Sequence, residues 1–165
     1  MLFLSVPMFY GQVAIGKNSV SNASVSLEFG SDNRGIVLPW VNSSAAVSTA
    51  VDGTLIYDVS DKKVKYKKGG TWFDLSINSD GQVNTALQNS LTEISTAQTI
   101  IGNNGKPNIV PGILVLSDTN KAMVLPKVVS PHLNIANPAA GMVAFDTNTK
   151  QLAVFNGTNW SFWKP

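Results

Sequence analysis

Short apolar runs bounded by Ser, Asp, Asn and Gly recur along the whole chain, the pattern of brief β-strands separated by turns. Residues 25–29 and 113–116 are such runs. Residues 36–41 and 123–129 follow, each interrupted by a proline, Pro39 or Pro126. Proline cannot donate a ladder hydrogen bond, so these segments belong at sheet edges or strand ends. A connection rich in Ser, Ala, Asn and Pro comes next, at 42–52 and again at 130–140. A three-strand meander then closes each half. Its strands are predicted at 54–57, 63–67 and 72–75, and at 142–145, 151–155 and 160–163. In the first meander Val64 and Tyr66 fall on one face, and Lys63, Lys65 and Lys67 on the other. This predicts a solvated lysine face that discourages edge-to-edge pairing. The competing reading of those lysines is a patch for an anionic polymer.

The two halves are copies of each other. SDNRGIVLP at 31–39 returns as SDTNKAMVLP at 117–126. GTLIYD at 53–58 returns as GMVAFD at 141–146, and KKVKYKKGGTW at 62–72 as KQLAVFNGTNW at 150–160. Three blocks in one order over about fifty residues make a duplication the basis of any fold reading. The second copy has Gln151, Ala153 and Phe155 where the first has lysines. The repeat therefore does not require the lysine charge.

Only one stretch carries a helical period. In 80–101, Leu87, Leu91, Ile94, Gln98 and Ile101 are spaced four and three apart, as along a coiled-coil seam. Asp80 suits the start and Gly102 the end. A helix of this length is marginal alone. It either packs on the β modules or forms a short parallel coiled-coil bundle with other chains, for which the resemblance given below implies three strands. The fold class expected is mainly β: two tandem small β-meander modules joined by one helix. The expected division is 1–11, 12–79, 80–102 and 103–165.

The segment 1–11 opens MLFLSVPMFY, an apolar run of the length of a signal-peptide core, and too short to span a membrane. It is expected to be an export signal cut near Gly11–Gln12. The rest should be a soluble chain, periplasmic, at the cell surface or extracellular. The bland alternative is a buried first strand.

Composition narrows the chemistry. Charged residues are 13% and the net charge is +2, with Arg34 the sole arginine, so nucleic acid is not an expected partner. With no Cys, disulfides, thiolate nucleophiles and Cys-ligated zinc are excluded. His132, the one histidine, follows Pro131 in a connection whose first copy has no counterpart, so no catalytic triad is expected. Asp58 and Asp146 recur in the repeat, and each begins a turn where an Asp carboxylate accepts nearby backbone N–H groups. Calcium at Asp58/Asp61 or Asp146/Asn148 lacks the frame of a calcium loop. No cofactor, metal or catalytic residue is expected. Sugar binding is the main alternative, since neutral polar surfaces with exposed aromatics suit glycans. Trp72 and Trp160, equivalent in the copies, are expected to anchor the core. Trp40 and Trp163 are left for a ligand or an interface.

Residues 122–160 run from VLP through an Asn-Pro-Ala-Ala-Gly linker to GMVAFDTNTKQLAVFNGTNW. This order resembles a module of phage tail-fibre proteins that also recurs in short exported Bacteroidota proteins. Copy one, 35–75, is similar, with Lys68-Gly69-Gly70-Thr71-Trp72 at the closing turn. Gln12-Val13-Ala14-Ile15-Gly16 also looks like the start of many exported Bacteroidota proteins. The resemblance implies an exported or virion-surface structural module, often fibrous and trimeric, with no catalytic site. Physics points the same way: a β module of about fifty residues buries too little surface to stand comfortably alone. The expected function is therefore structural or adhesive, with a homotrimer favoured. The alternatives are a carbohydrate-binding accessory protein and a subunit of a larger surface or injection assembly.

Overall fold

The computed structural model describes residues 11–94, 96–102 and 109–164. Apart from Gly11, the predicted export signal lies outside the described residues, and so does the side chain of Leu87.

The chain is built from short strands, as its turn-punctuated pattern predicts. The first copy begins with β1 (Val13–Ile15) and β2 (Val25–Phe29), which pair in parallel with Val13 opposite Leu27. Pro39 then divides β3 (Ile36–Val37) from β4 (Trp40–Val41). A 3-10 turn at Ser44–Ala46 leads to β5 (Leu55–Asp58), β6 (Lys63–Lys68) and β7 (Thr71–Asp74). β4 lies parallel to β5, and β5, β6 and β7 form an antiparallel meander.

The connector contains α1 (Ala86–Asn89), a single helical turn. It ends in β8 (Thr99–Ile101), which pairs in parallel with β9 (Leu114–Leu116). The second copy continues with β10 (Ala122–Val124) and, after Pro126, β11 (Lys127–Val128). Then come α2 (Pro131–Asn134), β12 (Met142–Asp146), β13 (Gln151–Phe155) and β14 (Trp160–Trp163). Again β11 is parallel to β12, and the last three strands form an antiparallel meander.

The duplication is thus structural. Trp40 faces Tyr57 as Lys127 faces Phe145, and Asp58 faces Lys63 as Asp146 faces Gln151. The turns match down to the backbone. Lys62 and Lys150 both take a left-handed φ of 59° at the meander's first turn.

The helix expected over 80–101 is corrected to that single turn. Asn84, Asn89, Ser90, Thr85, Thr92 and Thr96 offer side-chain bonds that compete with helical ones. Thr99, Ile100 and Ile101 are β-branched and join a parallel strand pair instead. A single turn gains too few hydrogen bonds to extend itself without tertiary packing.

The copies are not beads on a string. β3 of copy one pairs antiparallel with β12 of copy two, Val37 opposite Met142 and Ile36 opposite Val143. In return β10 of copy two pairs in parallel with β2 of copy one, Met123 opposite Leu27. Each copy lends its Leu-Pro strand to the other. The main core follows: Tyr57 and Val64 from copy one pack with Ala140, Val143 and Val154 from copy two. Each fully buried valine here contributes about 1.5–3 kcal/mol of apolar transfer, and the cluster draws on both copies. A second cluster, Val128, Ile135, Met142, Ala144 and Phe155, lies within copy two.

Candidate functional site

The two carboxylates that recur in the repeat are held by internal hydrogen bonds. Asp146 is fully buried, and its carboxylate accepts from the backbone N–H of Ser130 and of Asn148 and from Thr149 Oγ1. Asp58 repeats the arrangement with the N–H of Ser44 and of Asp61 and with Ser60 Oγ. Each carboxylate ties the start of the long connection to the meander turn, as the turn-forming reading predicts. Burial pushes both carboxyls up, but these hydrogen bonds outweigh it and hold them below the usual carboxylate range.

The lysine face departs from expectation. β6 is a central strand, not an edge, and Lys65 is only 8% exposed. Its ammonium is paired with Asp61 and lies 3.6 Å from both Asp58 and Asp74. Lys63 reaches Asp74 at 2.7 Å, and Lys67 lies 5.3 Å from the centre of the Trp72 ring. The alternation placed these lysines on one face correctly. It could not show that the facing turn and strand bring three carboxylates over them.

Glu28 is a buried acid that sequence reasoning missed. It accepts from the N–H and Oγ of Ser21 and from Lys17, 2.7 Å away. Lys17 and then Ser21 hold its carboxyl down at about 2. The signal was faint: one Glu in the short, mainly apolar strand VSLEF.

The tryptophans divide unevenly. Trp40 turns inward at the joint between the copies, where its Nε1 donates to Ala140 O at 2.7 Å. Trp160 packs on the second cluster as expected, whereas Trp72 is half-buried under Lys67 and belongs to neither core cluster. Trp163 is 41% exposed, with its Nε1 donating to Leu75 O. His132 is exposed and sits edge-on to Phe162, with ring centres 5.5 Å apart. Among the described residues, no group of three His, Asp or Glu is placed to hold a metal ion. No helix there is long and apolar enough to cross a membrane.

What the molecule does present is exposed apolar side chains, about half of them in and beside the connector. Leu91 and Ile94 are more than two-thirds exposed, and Ile109 almost wholly so. Ile113 and Leu114 at β9 are exposed as well. Of the predicted seam, Leu87 is in α1, Leu91 and Ile94 follow it as exposed loop residues, and Ile101 is buried in β8. The Gln98 amide donates to the carbonyls of Val110 and Gly112. The structure therefore does not gather the five onto one helical face.

The second copy is where the known family enters. Residues 100–164 match the family model of the phage tail like trimerisation region. The match runs from β8 through β14, and the tail-fibre likeness of 122–160 falls wholly inside it. The matched stretch includes the second meander, the Asp146 clasp and most of the β8–β9 pair. No curated protein and no solved structure matches the chain.

Proposed function

We propose that this chain is a structural, non-enzymatic, tail-fibre-like protein that works as a homotrimer outside the cell, where it presents polar loops to an adhesive target. The observation that carries the reading is the match of the second copy to a trimerisation region, beside a connector that leaves Leu91, Ile94 and Ile109 exposed. Large side chains left in water beside such a region favour association with like surfaces. Three chains meeting there would bury them. Support for a non-catalytic role comes from Asp58, Asp146 and Lys65, whose charges are saturated by internal partners. Adhesion through three parallel copies would draw on avidity rather than on one deep pocket.

The test is the solution mass of residues 12–165 by size-exclusion chromatography with light scattering. At the lowest concentrations three times the chain mass is expected, falling to one for the double variant Leu91→Asp/Ile94→Asp. A wild-type chain that is monomeric at every concentration would sink the reading. A glycan array then addresses adhesion separately, and an array with no binding removes the adhesive part alone.

A further inference from the structure

The duplication supplies an internal control, because each surface of one copy can be compared with the same surface of the other. In copy two, Gly141, Met142 and Val143 are buried beneath β3. In copy one the equivalent Gly53 is exposed, Thr54 and Leu55 are half-exposed, and β4 covers only Tyr57 and Asp58 of β5. A Cβ on Gly141 would meet the Tyr57 Cβ at 2.9 Å, whereas one on Gly53 would meet nothing within 4 Å. Gly157 is likewise crowded by Gln82, and its equivalent Gly69 faces open space.

The opposite end shows the complementary deficit. β2 of copy one lies between β1 and β10, with four of its five residues buried. Among the described residues its counterpart β9 pairs with β8 alone, none of its residues is buried, and Leu114 is 47% exposed. β10 also has one open edge. Among the described residues, copy one therefore has no partner on its upstream side and copy two none on its downstream side.

We propose that chains associate end to end, the downstream end of copy two receiving copy one of a second chain through the same joint that holds the two copies together. β10 would pair with the open edge of the second chain's β5, as β3 pairs with β12. β9 would receive the second chain's β3, as β2 receives β10. The charges agree. At the internal joint Trp40, after Pro39, donates to Ala140, just before Gly141. The equivalents are Lys127, after Pro126, and Asp52, just before Gly53. Both are exposed and neither is ion-paired within the described residues. Between chains, a Lys–Asp pair takes the place of the Trp–carbonyl bond. Such a contact joins unlike surfaces and does not close, so it grows in one dimension. It is independent of the trimer contact, which closes at three.

Sedimentation velocity of residues 12–165 over a wide concentration range tests it. The wild-type chain should give masses that climb with concentration without a plateau. Lys127→Glu should require about tenfold more protein for the same growth, because like charges then meet at the joint. Asp52→Lys should act similarly, and the double variant Lys127→Glu/Asp52→Lys should restore growth. Asp52 also accepts from the N–H groups of Gly69 and Gly70, so Asp52→Lys could disturb that turn. Leu114→Lys on the β9 edge gives an independent block that spares it. A mass fixed at one chain or three across all concentrations overturns the proposal. So does growth that ignores Lys127→Glu and Leu114→Lys.

Discussion

At the scale of single residues, buried carboxylates hold this fold's loops in place. Glu28 illustrates the sign. Its folded carboxyl titrates at about 2 against an ordinary value of 4.5. The depressed value stabilises the fold above 4.5, and that contribution is lost as pH falls toward 2. Asp58 and Asp146 are shifted in the same direction. Denaturant midpoints measured from pH 7 downward should fall steeply below about pH 4, and Glu28→Gln should flatten part of that slope. A midpoint insensitive to acid would contradict the assigned bonding. Asp146→Asn should cost about 1–3 kcal/mol, because an amide cannot accept all three hydrogen bonds now made to the buried carboxylate. Urea unfolding reads that directly. Tyr57→Phe, which copies Phe145 of the second repeat, should cost about 0.5–1.5 kcal/mol through the lost bond to Asn156 O.

At the scale of elements, the strand pattern was legible because its causes are local. Prolines ended strands where they could not donate, and left-handed turn positions fell at matching places in both copies. The connector was misread because a four-three spacing of Leu and Ile describes a helical face only if something covers it. Here Ser, Thr and Asn compete for the backbone, and β9 offers a strand partner instead. The burial of Lys65 was not legible either, since it depends on Asp61 and Asp74 arriving from a turn and a neighbouring strand. The same long-range logic governs the modules. Copy one expressed as residues 12–79 loses β10 from β2 and the valines of copy two from Tyr57 and Val64. It should show no sharp thermal transition by circular dichroism. A cooperative transition would mean that the meander is self-sufficient.

At the scale of the whole molecule, the duplication itself was plain in the sequence, but the exchange of Leu-Pro strands was not. Repeats that swap a strand read the same along the chain as repeats that keep it. The exchange also has a consequence for biosynthesis. Ile36 finds its partner at Val143, about a hundred residues further along. At typical synthesis rates that is a delay of roughly 5–20 s. Through that interval the apolar edge of copy one emerges without its mate. If the chain leaves its site of synthesis through a translocation pore, the unmated state keeps it threadable. If it folds where it is made, that same edge is the place where a holding chaperone would be needed.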